Sequence, residues 1–110
     1  MAYDEQLAER IRALLLGEPA LTERRMFGGL AFLVAGNMAV AAGGQGRLMV
    51  RFDPERTAEL LAEPHTDPFV MPGRRMKGWL QIEPLGFASD DDLERWVGIG
   101  LSRARALPPK

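Results

Sequence analysis

Arg47, Met49 and Arg51 alternate with Leu48, Val50 and Phe52, and Lys77, Trp79 and Gln81 alternate with Met76, Gly78, Leu80 and Ile82. Alternation is the period of a β-strand, whose successive side chains point to opposite faces. If the aliphatic set meets a core, the other set shares an outward face made of cations, a glutamine, a methionine and a tryptophan. That composition suits recognition rather than bond making. Tryptophan and arginine are enriched where interfaces concentrate their energy, and a ring among cations also stacks a single-stranded base. The plainer reading is that arginine stems cover the indole. A protein interface, self-association included, a nucleic-acid surface and a small-ligand site are all open from these residues alone. A second basic group, Arg24 and Arg25 with Arg74 and Arg75, precedes two methionine-led strands. It is expected either to converge at one sheet end, with Asp90, Asp91 and Asp92 as counter-charges, or to flank those strands in solvent.

Residues able to make or break bonds are scarce. Ser89 and Ser102 are the only serines, His65 is the only histidine, and cysteine is absent. Ser89 stands where a helix cap is needed, and His65 sits between Pro64 and Thr66 in a loop, so no nucleophile–base pair is marked. Without cysteine there is no disulfide, thiolate or cysteine-ligated zinc, and the composition suits a reducing cytoplasm. Asp90-Asp91-Asp92 lacks the glycine and later acid of a calcium loop, and acids in a first helical turn follow from the helix dipole. Gly43-Gly44-Gln45-Gly46 resembles a phosphate cradle only superficially, because a strand rather than a helix follows it. Gly28-Gly29 marks a bulge, packing against the final helix, or the close approach of a backbone or ligand. The expectation is a non-enzyme with no cofactor and no metal.

The elements that must position these residues are legible from periodicity. The chain has 110 residues, 46% hydrophobic and 26% charged, with a net charge of −1. That fits one domain spanning 1–110, its core about 3–107, and gives no global attraction to nucleic acid. No apolar run approaches the ~20 residues of a membrane helix, and the N-terminus lacks a signal-peptide pattern. Leu7, Ile11, Leu14 and Leu15 recur at helical spacing over 4–16, after Asp4 as a cap. Met26–Val34 and Met38–Ala42 read as strands around a Gly36-Asn37 turn, and Leu48–Phe52 as a third strand. Asp53-Pro54-Glu55 starts a second helix that Pro64 stops. Phe69–Met71, a Pro72-Gly73 turn and Met76–Ile82 give two further strands. Ser89 to Asp92 caps a last helix carrying Leu93, Trp96, Val97, Gly100, Leu101 and Ala104 on one stripe. Pro108-Pro109-Lys110 reads as a frayed tail. The order α-β-β-β-α-β-β-α predicts a two-layer α+β domain: a largely antiparallel five-stranded sheet with helices on one face.

The block Arg24-Arg25-Met26-Phe27-Gly28-Gly29, then Gly36-Asn37-Met38, Leu48–Asp53 and Pro68–Trp79, resembles the N-terminal domain of TfoX/Sxy proteins over roughly residues 3–107. The resemblance implies the same element order. It also implies association with bacterial regulators of natural competence, which act on transcription together with the cyclic-AMP receptor protein. Full-length regulators add a C-terminal helical domain, which is expected to be absent from a chain ending at Lys110. The function expected is a cytoplasmic interaction domain that works through a protein partner or as a homodimer, away from membranes. A nucleic-acid-binding module and a small-ligand domain are the alternatives.

Overall fold

The structure, a computed structural model, describes residues 3–26, 28–71 and 74–110. Phe27 of the Arg24–Gly29 block and the expected Pro72-Gly73 turn lie outside them. Helix α1 (Glu5–Leu14) starts where the Asp4 carboxylate accepts the Gln6 and Leu7 N–H groups, and it buries Leu7, Ala8 and Ile11. Strands β1 (Leu21–Met26), β2 (Gly29–Val34), β3 (Asn37–Ala42) and β4 (Leu48–Arg51) follow. A 3-10 turn at Pro54–Arg56 leads into α2 (Thr57–Leu61), and the Asp53 carboxylate accepts the Glu55 N–H at 3.0 Å to open it. Then come β5 (Thr66–Met71), β6 (Arg74–Ile82), a 3-10 turn at Pro84–Phe87, and α3 (Asp90–Ala106). The Ser89 hydroxyl caps α3 by accepting the Asp92 N–H at 3.1 Å.

The six strands among the described residues form one antiparallel sheet in the order β1-β2-β3-β4-β6-β5. This is one strand more than expected. Leu21-Thr22-Glu23-Arg24-Arg25, ahead of the strand expected from Met26, belongs to no expected element, and four successive residues in it are polar. It is an edge strand, with Thr22 to Arg25 exposed, and charge on an edge is how sheets discourage further pairing. Met26 pairs with Gly29, with Gly28 at φ 72°, so the single strand expected over Met26–Val34 is the end of one strand and all of the next. Gly29 does mark a close approach, but to β3: a methyl there would stand 2.3 Å from the Ala42 carbonyl oxygen. The second turn falls one residue earlier than expected, on Ala35 and Gly36, since Val34 pairs with Asn37. Gly43 to Gly46 forms the β3–β4 hairpin loop, as its lack of a following helix implies.

All three helices contribute to one core on one face of the sheet. It includes Leu7 and Ile11 of α1, Leu60 of α2, Leu93, Trp96 and Val97 of α3, and Leu30, Phe32, Val40, Val50, Leu80 and Ile82 of the sheet. The Trp96 indole N–H donates to the Gly86 carbonyl at 3.2 Å, which satisfies a polar atom that burial would otherwise penalise. In β3 the register shifts: Phe32 faces Val40 but Leu33 faces Met38, leaving Ala39 as an extra residue. Ala39 is buried with Val34 and Ala104, where α3 crosses. The tail is docked rather than frayed. The Lys110 N–H donates to the Ala35 carbonyl at 2.8 Å, and the buried Asn37 side chain donates to the Pro108 carbonyl at 2.9 Å. Asn37 needs that acceptor because its amide has left water.

One ion pair ties α1 to the edge strand. The Arg12 guanidinium donates to both Glu23 carboxylate oxygens, at 2.8 and 2.9 Å. Those hydrogen bonds hold the Glu23 carboxyl below its ordinary range. A carboxyl depressed in the folded state stabilises the fold above its unfolded pKa, and that contribution is lost as pH falls through the folded value. Both side chains are about one-third exposed, so solvent screening keeps the effect under about 1 kcal/mol. The stability difference between the wild type and Glu23→Gln, measured by urea unfolding, is expected to be small at neutral pH and to shrink as pH falls below the ordinary Glu range, disappearing once it has passed the depressed folded value.

Candidate interaction face and crevice

The register fixes which residues share the helix-free face. Ala31 stands opposite Ala41, Ala41 opposite Met49, Met49 opposite Gln81, and Gln81 opposite Asp67. Arg51 stands opposite Trp79. Ala31, Leu33, Ala41 and Met49 form a buried apolar cluster there, and Met26, Met38, Phe69 and Trp79 pack around it half-buried. Met49 is only 5% exposed although no helix covers it. The face is therefore not bare, as the alternation alone implied. Small residues fill its centre and larger side chains from β1, β3, β5 and β6 close over them. Trp79 is on this face and not under a helix. The Arg51 guanidinium lies over its ring, 5.7 Å from the centroid. Burial, followed by the nearby Arg103 charge, pushes the Arg51 guanidinium down from its ordinary pKa.

Of the six residues marked by alternation, Met49, Arg51, Trp79 and Gln81 are brought together. Arg47 and Lys77 are placed at opposite ends. Arg47 precedes β4, its carbonyl accepts the Gly43 N–H at 2.7 Å, and it lines a depression with Gln45, Glu83, Pro84 and Leu85. It stands four residues from Arg51, ~13 Å along a strand. Lys77 is exposed and lies within an irregularity in β6. Pro68 pairs with Leu80 but Val70 pairs with Arg75, so Phe69 faces a bulge spanning four β6 residues. Gly78 within it has φ 79°, and its carbonyl accepts the Phe52 N–H at 2.9 Å. That backbone conformation favours glycine, and it breaks the two-residue period between Lys77 and Trp79. The simple alternation placed Gly78 with Leu80 without this bend.

The second basic group does not assemble. Arg24 and Arg25 lie on edge strand β1, whereas Arg74 and Arg75 open β6, and β2, β3 and β4 lie between. The cause is topological: the β1–β2 hairpin sends β1 outward, and β6 inserts between β4 and β5. Asp90 lies 3.3 Å from Arg10 of α1. His65 occupies the turn into β5 at φ 67°, its Nδ1 3.9 Å from a Glu83 carboxylate oxygen. Among the described residues no group of three or more His, Asp or Glu is placed to hold a metal ion.

Beside Trp79 the bulge opens a crevice of about 370 Å³ between β6 and α2. Phe52, Pro54, Thr57, Leu61, Met76, Lys77, Gly78 and Trp79 line it. Sequence reading missed this crevice, and it missed the contributions of Ala31, Leu33, Ala41, Met26, Met38 and Phe69 to the face. A signal for the face existed. Leu30–Val34 and Met38–Ala42 are apolar at successive positions, the pattern of strands covered on both sides, whereas helices cover only one side here.

The TfoX N-terminal domain family model matches residues 13–104 of the chain. The comparison with curated proteins gives no match. No helix among the described residues is long and apolar enough to cross a membrane.

Proposed function

Because the chain belongs to the TfoX N-terminal domain family, we propose that it is a non-enzymatic, cytoplasmic interaction domain of transcription-linked regulation in natural competence. It works through protein contacts, as a homodimer or with another protein, made by the helix-free side of the sheet. The observation that carries this reading is the second apolar cluster on that side, Ala31, Leu33, Ala41 and Met49, ringed by Met26, Met38, Phe69 and Trp79. A face of this kind with an arginine stacked on a half-buried tryptophan has the make-up of an interface centre. The charges favour a protein over a nucleic acid. Arg47 and Lys77 sit at opposite ends, and Asp67 shares the row of Met49 and Gln81. A phosphate chain needs a continuous basic track.

Light scattering across a concentration series, with a parallel pull-down, tests the reading. The wild-type protein self-associates or retains a specific protein, and Trp79→Ala loses that association while remaining folded. A strictly monomeric wild type with no partner sensitive to Trp79→Ala overturns it.

A further inference from the structure

We propose that the crevice between β6 and α2 seats an apolar side chain of an acidic peptide segment in a partner protein, with Lys77 pairing to an Asp or Glu that flanks this anchor. The inference rests on the interaction-domain reading and specifies the chemistry of the partner. Phe52, Pro54, Leu61, Met76 and Trp79 give the crevice apolar walls. Among the described residues Lys77 is the only charged one lining it. The Thr57 hydroxyl is turned back onto the preceding 3-10 turn, donating to the Pro54 carbonyl at 2.5 Å. Asp53, next to Phe52, directs its carboxylate to the Glu55 N–H. Among the described residues no acid therefore lines the crevice, and Arg51, opposite Trp79 in the register, lies over its ring without lining the crevice. Apolar walls with one exposed lysine among them complement an apolar group carried beside a negative charge.

The bulge explains why the crevice exists. Four β6 residues lie opposite Phe69 alone, so the strand must bend away from its neighbour, and bulges re-aim side chains in this way beside functional sites. A methyl on Gly78 would meet the Phe52 carbonyl oxygen at 3.2 Å and Pro54 at 3.4 Å, so the glycine also lets β6 approach the 3-10 turn closely. A volume of about 370 Å³ is at the small end of the range for ligand pockets. It suits one or two anchoring side chains better than a folded surface.

The test is selection of a random peptide display library on the immobilised full chain, followed by titration of the enriched peptides, with tryptophan fluorescence as the readout. Trp96 is buried under α3, so Trp79 reports the crevice. Enriched peptides are expected to carry Leu, Ile or Phe beside Asp or Glu, and to bind Lys77→Glu and the crevice-filling Thr57→Phe at least about tenfold more weakly. Their affinity is expected to fall with added salt. Peptides without acidic enrichment, or peptides indifferent to both substitutions, overturn the proposal. Peptides weakened by Arg51→Ala but by neither crevice variant also overturn it while leaving the sheet-face reading intact. Failure of that reading shows separately, in the light scattering and pull-down of wild type and Trp79→Ala.

Discussion

Gly100→Ala destabilises the domain by up to about 2 kcal/mol, while Gly98→Ala, two residues earlier on the same helix, stabilises it by up to about 1 kcal/mol. Helix propensity alone favours both substitutions by about 1 kcal/mol, because alanine has less backbone freedom to lose. Position decides the sign. A methyl at Gly98 meets nothing within 4 Å. A methyl at Gly100 stands 2.4 Å from the Ala39 carbonyl oxygen and 2.7 Å from a Val40 methyl. The first of these is backbone in a central strand and has no rotamer by which to yield, so α3 must lift from the sheet. Overpacking of this kind costs about 1–3 kcal/mol, which outweighs the propensity gain. Lifting α3 also loosens Trp96, Val97 and Ala104, which are buried on the same helix. Urea unfolding of the two variants beside the wild type measures the difference. Equal shifts of the same sign would mean that α3 does not rest on β3 as closely as the bulge at Ala39 implies.

That bulge shows what kind of information a sequence carries locally. Capping and periodicity are short-range, and they were legible: Asp4, Asp53 and Ser89 cap the segments they precede, and the α3 stripe from Leu93 to Ala104 is the buried one. The alternation in Leu48–Arg51 likewise put Met49 and Arg51 opposite the helices. What failed depended on partners outside the segment being read. The charged strand β1 exists because β2 pairs with it, since Glu23-Arg24-Arg25 does not favour a strand by itself. The tail is ordered by Ala35 and Asn37, more than 70 residues away. Arg24 and Arg25 look like companions of Arg74 and Arg75 only until strand order is known. The crevice was invisible for the same reason: it is made by a register change between β5 and β6 and by the neighbouring 3-10 turn, none of which has a signature in composition. The candidate face was half legible. Its polar rim and Met49 could be read from two strands, but the rest of its apolar centre is supplied by β2 and β3.

The two tryptophans separate a structural ring from a recognition ring, and their alanine variants are expected to fail differently. Trp96 is 3% exposed, packed in the helix-side core, and its indole N–H is bonded to Gly86. Trp96→Ala removes a large buried group and leaves the Gly86 carbonyl without its partner, a loss of about 3–5 kcal/mol. Against a total stability of about 5–15 kcal/mol, that brings the domain close to unfolding. Trp79 is half-buried at the border of the second cluster and donates no comparable bond among those described. Its removal forfeits partial burial and the contact with Arg51, together about 1–2 kcal/mol. Arginine stacking does not distinguish the two rings, because Arg95 lies over Trp96 at 4.8 Å. The distinction is the face: one ring fills space between helix and sheet, and the other borders both the helix-free cluster and the crevice. Trp79→Ala is therefore expected to unfold at only slightly lower urea than the wild type while losing association. Trp96→Ala is expected to lose association only to the extent that it loses structure. Were Trp79→Ala to cost as much stability as Trp96→Ala and leave association unchanged at concentrations where it is folded, residue 79 would be a packing residue, and the recognition surface would have to be sought elsewhere on the sheet.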